Sequence, residues 1–199
     1  MADYKKPDHW QQKARKEGYP ARSVYKLIEI NEKFNIFKAP NNRVLDIGAA
    51  PGSWSLWVLR KMASKGSGFL TAVDLSPLSD ELFSGNLNFI QGDITAEDVR
   101  QAVLSGGPYG VIISDAAPKT TGNHMVDSAR SVELVEAVLS YVKDALAAGG
   151  NLAVKVFQGS GSDAVLKHMK TLFTAAKSFK PQACRGESVE TYFIGIGKR

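Results

Sequence analysis

The chain has 199 residues, 44% of them hydrophobic, and carries a formal net charge of +5. That balance suits one compact domain spanning 1–199, and no apolar run approaches the roughly 18 residues that cross a bilayer. One cysteine, Cys184, excludes an internal disulfide or a cysteine-based metal cluster, and His9, His124 and His168 show no ligand spacing. A metal-independent protein is expected. The first residues lack the apolar core of a signal peptide, which points to the cytoplasm.

In chain order, the first 26 residues hold seven basic side chains (Lys5, Lys6, Lys13, Arg15, Lys16, Arg22, Lys26) against three acids. Tyr4, Trp10, Tyr19 and Tyr25 are interleaved with them. Cations alternating with stacking rings suit an RNA backbone with splayed bases, so residues 1–20 read as a basic RNA-binding arm. A solvated basic terminus is the plainer alternative. Val24, Leu27, Ile28 and Phe34 predict a helix over 22–34. Strands are expected at 43–47, 69–74, 87–91, 110–114, 151–157 and 190–196, with helices at 53–64, 95–104, 128–147 and 162–173. Gly149-Gly150 is expected to stop the long helix in a left-handed turn. Near-continuous apolar strands alternating with helices predict an α/β fold: a mostly parallel sheet covered on both faces. Segments 175–180 and 190–197 are expected to form an antiparallel hairpin at one edge.

Ligands of such sheets bind beyond the carboxyl ends of the strands, so strand ends are where chemistry is sought. The first strand ends in Asp46, followed by the small-residue loop Gly48-Ala49-Ala50-Pro51-Gly52 and a helix start. Gly and Ala let backbone N–H groups approach a ligand closely there. The second strand ends in Asp74, 22 residues beyond Gly52, where a carboxylate accepts from ribose hydroxyls. Asp93 follows the third strand, placed to accept from an adenine amine, and Asp115 ends the fourth. Each Asp alone reads equally as a cap or turn residue. Four at successive strand ends outline an adenosine ligand. The dinucleotide glycine pattern and the P-loop are both absent. An adenosine without phosphates, in an acidic site, points to S-adenosylmethionine, whose sulfonium and ammonium are cationic. Lys155 lies inside an apolar strand, where a lysine needs a partner or a function unless it snorkels from an edge. Lys26 reads equally as an ordinary exposed helix lysine.

Five blocks in order resemble the FtsJ-type ribose 2′-O-methyltransferases, enzymes that act on RNA. They are Ala21–Leu27, Asp46–Trp54, Ser114–Pro118, Val154–Gly159 and Ser188–Tyr192. The resemblance implies a Rossmann-like, seven-stranded methyltransferase fold and S-adenosylmethionine as cofactor. It places a catalytic Lys-Asp-Lys-Glu set on Lys26, Asp115, Lys155 and Glu190. Cofactor contacts fall on Gly52, Trp54, Asp74, Asp93 and Asp115, and the loop adds Asp46, Gly48, Ala50 and Pro51. Where the family often has Gly-Gly-Trp this chain has Gly52-Ser53-Trp54, and Val189 stands where bacterial ribosomal members often carry Arg. The length resembles the single-domain ribosomal type, which implies a monomer modifying a uridine in the A-loop of large-subunit ribosomal RNA. Transfer RNA is the alternative acceptor, and a ribosome-assembly factor retaining the fold is the non-enzymatic alternative. In the implied mechanism Lys155 takes the hydroxyl proton, Asp115 orients Lys155, and Glu190 positions Lys26 or the ribose.

Overall fold

The computed structural model describes residues 8–64, 66–79, 82 and 85–199. Lys5, Lys6 and Tyr4 of the basic segment lie outside them. The described elements are α1 His9–Lys16, α2 Val24–Phe34, β1 Arg43–Ile47, α3 Ser53–Ala63, β2 Phe69–Asp74, β3 Leu87–Gln91, α4 Glu97–Ser105, β4 Tyr109–Ser114, α5 His124–Ala145, β5 Leu146–Phe157, α6 Ser162–Leu172, β6 Phe173–Phe179 and β7 Glu190–Lys198. No helix among them is long and apolar enough to cross a membrane.

The strands form one seven-stranded sheet in the order β3-β2-β1-β4-β5-β7-β6. Pairs β2·β3, β1·β2, β1·β4 and β4·β5 are parallel, whereas β7 runs antiparallel to both β5 and β6. The expected fold class and edge hairpin are therefore present. All six residues of β4 are buried, as a central strand covered on both faces requires. Alternate strand residues supply two apolar layers. One packs Leu45, Ile112, Leu152, Val154 and Val156 against α4, α5 and α6 through Val103, Val138, Leu139, Val142 and Met169. The other packs Val44, Val111, Ile113, Ala153 and Ile194 against α2 and α3 through Leu27, Ile30, Trp54 and Val58.

Two local expectations are corrected. First, α5 ends at Ala145, and Leu146 already pairs with Tyr109. The Ala-Ala-Gly-Gly stretch that reads as a helix end is instead an irregular entry to β5. The β4·β5 register shifts between Tyr109 and Val111, and Gly149 (φ +76°) takes the left-handed conformation inside the strand. Second, α5 starts four residues earlier than expected, because the Asn123 side chain accepts from the Met125 and Val126 N–H groups. The described part of the basic segment is helical. Residues 9–16 form α1, which the Asp8 side chain caps by accepting from Gln11 N at 2.9 Å. Ala14 is buried, and Trp10 packs on Tyr25 with ring centroids 5.0 Å apart. Tyr25 donates to Glu17 at 2.9 Å, Arg22 pairs with Asp8, and Lys13 lies 4.6 Å from the Tyr25 ring centroid. Tyr19 is covered by Arg60. These contacts hold α1 to α2, while Arg15 and Lys16 stay exposed.

Candidate active site

The strand-end loops of β1, β2, β3 and β4 enclose a cavity of about 630 Å³. Its wall includes Gly48 and Ala50 from the loop after β1, Asp74 at the end of β2, Asp93 after β3, and Asp115–Pro118 after β4. Gly48 (φ +76°) is required twice over. Its backbone is left-handed, and a Cβ there would sit 2.6 Å from Ala116, so only glycine lets the first and fourth strand-end loops approach. The wall is pre-organised by local hydrogen bonds. Asp74 accepts from Ala50 N at 2.9 Å through one oxygen and from Ser76 N at 2.8 Å through the other. Asp93 accepts from both Thr95 N and Thr95 Oγ1 on Oδ1 alone, leaving Oδ2 for a ligand. Those two bonds hold its carboxyl below the usual range.

Asp46 lies fully buried beneath the loop. Ser55 donates to its Oδ2 at 2.7 Å, and its Oδ1 has no hydrogen-bond partner among the described residues. Burial pushes the carboxyl up to about 7, the Ser55 bond opposes the shift, and the nearby Asp115 and Asp74 charges add to it. Convergent carboxylates that repel one another are a site suited to a cation. The cavity's size and acidic wall therefore fit S-adenosylmethionine.

Beyond Asp115 the chemistry changes. Lys155 Nζ lies 3.0 Å from Asp115 Oδ1, and Lys26 Nζ lies 2.8 Å from Glu190 Oε1. All four side chains are largely buried, between 11% and 18% exposed. Tyr192 joins the two pairs: its hydroxyl donates to Asp115 Oδ1 at 2.6 Å, and its ring centroid is 6.0 Å from Lys26 Nζ. In the antiparallel β5·β7 ladder Lys155 faces Tyr192 and Phe157 faces Glu190, so these side chains share a sheet face. α2 brings Lys26 to that face, and two bonds lock α2 to the donor loop. Trp54 Nε1 donates to Ser23 O at 2.8 Å, and Ala21 N donates to Ser53 Oγ at 2.6 Å.

A family model described as FtsJ-like methyltransferase matches residues 19–198. A curated relative from Treponema denticola, the ribosomal RNA large subunit methyltransferase E, is 50% identical over 97% of this chain and 96% of its own length. The chain belongs to the FtsJ-like methyltransferase family. It is an S-adenosylmethionine-dependent methyltransferase. Among solved structures, a Plasmodium falciparum protein described as a ribosomal RNA methyltransferase superposes with a TM-score of 0.77 at 26% identity, covering 90% of this chain and 98% of that one. Human methyltransferase-like protein 13, solved with S-adenosylhomocysteine, shares the fold with a TM-score of 0.55 at 18% identity over 87% of this chain and 79% of its own.

In this FtsJ-like methyltransferase the structure brings Lys26, Asp115, Lys155 and Glu190 together as two ion pairs. Gly48, Ala50, Asp74, Asp93 and Asp115 line the cavity, whereas Asp46, Pro51, Gly52 and Trp54 do not. Gly52 (φ +111°) caps α3 against Leu82, and Trp54 is buried with its ring 5.9 Å from that of Tyr192. Tyr192 is the residue that sequence reasoning missed. Its signal was its place two residues after Glu190, which puts both on one face of a strand. Burial, then the Asp115 charge, push its hydroxyl well above the usual range, so it stays a donor. Cys184 also comes nearer the site than its position suggests. Glu29 accepts from Gln182 N and Ala183 N and so ties the β6–β7 connection to α2, beside Glu190. Burial, then Glu190, push the thiol up to about 12, which leaves it an unreactive neutral group.

Proposed function

We infer that the protein methylates the 2′-oxygen of a ribose in RNA, and that the acceptor is a uridine of the large-subunit ribosomal RNA A-loop. The observation that carries the reading is the pair of buried Lys–carboxylate bridges, joined by Tyr192, next to a cavity that Asp115 lines and that suits the methyl donor. Bound in that cavity, S-adenosylmethionine supplies a methyl group on a sulfonium leaving group. A ribose hydroxyl is a poor nucleophile until its proton leaves, so the chain's own task is to remove that proton and to align the oxygen. Lys155 Nζ, once its own ammonium proton has passed to solvent, takes the hydroxyl proton as the ribose oxygen forms its bond to the methyl carbon and the carbon–sulfur bond breaks. Asp115 holds the Lys155 head group between donor cavity and acceptor, and the Tyr192 hydroxyl fixes Asp115. Lys26, held by Glu190, positions the ribose. The name of the 50%-identical relative supports large-subunit ribosomal RNA as acceptor. The exposed Arg15 and Lys16, with Lys5 and Lys6, support a phosphate-contacting role for the basic segment.

The test is transfer of tritiated methyl to intact large subunits, free large-subunit RNA and transfer RNA, followed by alkaline hydrolysis. A 2′-O-methyl group blocks cleavage of its own linkage, so the resistant position reports chemistry and site together. Label on a base, or only on transfer RNA, would overturn the reading.

A further inference from the structure

A second hollow, of about 300 Å³, lies at the ends of β5 and β7. Phe157 at the end of β5, His124 and Ser128 of α5, and Ser188 and Val189 before β7 line it. Phe157 stands directly opposite Glu190 and two residues beyond Lys155. The hollow therefore adjoins both ion pairs along the strands, while the donor cavity adjoins them through Asp115.

Three observations define what it would take. Its lining contains no lysine or arginine and does contain Asp127 and Glu187, so it repels a phosphate. The Asp127 carboxyl is held below the usual range, chiefly by the Thr121 N–H, and keeps its charge. Phe157 is half-buried, a flat apolar face beside polar edges from His124, Ser128 and Ser188, which is the pattern that stacks and reads an unpaired base. Finally, four large hydrophobic side chains are exposed among the described residues: Leu75, Met125, Val126 and Val189. Leu75 lines the donor cavity. Of the other three, Val189 is in the wall of the second hollow, and Met125 and Val126 stand in the first turn of α5 between the lining residues His124 and Asp127. Exposed apolar groups thus gather at the two hollows that flank the reactive lysine.

We propose that this hollow is the acceptor-base site. It seats, flipped out of its stack, the nucleobase of the nucleotide whose ribose is methylated, with Phe157 as the stacking face and Val189 as its outer wall. A ribose held at Lys155 carries its base on the carbon next to the reacting one, so the base must lie in a hollow beside that lysine. The donor cavity is taken by the adenosine of the cofactor. The volume is at the lower limit for ligand sites and suits one unpaired base. This assignment rests on the ribose 2′-O-methylation reading above.

The test uses large-subunit RNA transcribed with 4-thiouridine in place of uridine, irradiated with the protein in the presence of S-adenosylhomocysteine, and the crosslinked peptides mapped. In parallel, methyl transfer to unmodified large-subunit RNA is measured for Phe157→Ala and Val189→Trp, with S-adenosylmethionine affinity as the control for folding. Crosslinks are expected on the peptides bearing Phe157, His124 or Val189. Both variants should lose roughly tenfold or more in kcat/KM with cofactor affinity unchanged. Val189 is exposed, so its replacement tests the site even if Phe157→Ala unfolds. Crosslinks confined to other surfaces, or wild-type transfer by Val189→Trp, would overturn the base site while leaving the methylation reading intact. Failure of the wild-type protein to label any RNA would instead overturn the methylation reading and the base site with it.

Discussion

The donor half and the acceptor half of the site are built by different means. In the donor half, each carboxylate is held by neighbours a few residues away or one strand over: Asp93 by Thr95, Asp74 by Ala50 and Ser76. In the acceptor half, every contact joins distant segments. Lys26 meets Glu190, Lys155 meets Asp115, and Tyr192 reaches Asp115 across the sheet. Local hydrogen bonds make a rigid receptor that exists once its loops form. Side-chain ion pairs make a cluster that exists only when the whole sheet is assembled. Binding and chemistry should therefore separate cleanly under mutation.

The sharpest test of that separation is Lys155→Ala. Methyl transfer should fall roughly 10²–10⁴-fold, as loss of a proton acceptor implies, while cofactor affinity measured by calorimetry stays within about twofold. Equal loss of both would show that the halves are one unit. Next in size is a pH effect confined to the donor half. Asp46 holds its proton up to about pH 7 in the folded chain, whereas an unfolded Asp ionises near pH 3.9. Between those values the folded state binds a proton that the unfolded state has lost. Stability from this group is thus fully present below about pH 4, falls as pH rises to about 7, and is level above, a change of a few kcal/mol. Thermal unfolding against pH should show that slope, and Asp46→Asn should flatten it.

Tyr192→Phe removes the hydroxyl that fixes Asp115 and leaves the ring packing in place. A loss of about 1–3 kcal/mol in chemical denaturation is expected, with slower transfer and unchanged cofactor binding. Asp93→Ala should do the reverse, weakening cofactor affinity by roughly tenfold with RNA affinity unaltered. The smallest effect lies outside both halves. Arg15→Gln with Lys16→Gln should weaken RNA binding without moving the unfolding midpoint, and reduce the slope of log K against log salt by roughly 1.4 if both groups meet single-stranded phosphates. An unchanged slope would remove α1 from the RNA surface.

The same contrast explains what the sequence made legible. Donor-half features are local, so the apolar strand, the small-residue loop and the acids at the ends of β2 and β3 could be read from runs of a few residues. The parallel sheet followed from the alternation of such runs with helices. Lys155 stood out as a lysine in an apolar strand and Lys26 did not, and since a long-range ion pair leaves no mark on its neighbours, the roles of both came from the resemblance of whole blocks. Tyr192 was hidden because an aromatic in an apolar strand looks like core, and most of its ring is core. The α1 helix was hidden by its charges. It buries only Ala14 fully, and its aromatic and basic side chains dock locally on α2, so the residues that suggested RNA contacts also fold the segment down. The start of β5 was misread because Ala-Ala-Gly-Gly carries no strand pattern, and pairing with Tyr109 decides its conformation.

The strand order has a consequence for synthesis. β7 follows β6 in the chain yet lies between β5 and β6, so β6 has no sheet to join until β7 has been made. The same strand delivers both Glu190 and Tyr192. A polypeptide stalled after β6 would contain every strand whose end lines the cavity but neither Glu190 nor Tyr192, so the making of β7 is the event that brings the Lys26–Glu190 pair into being.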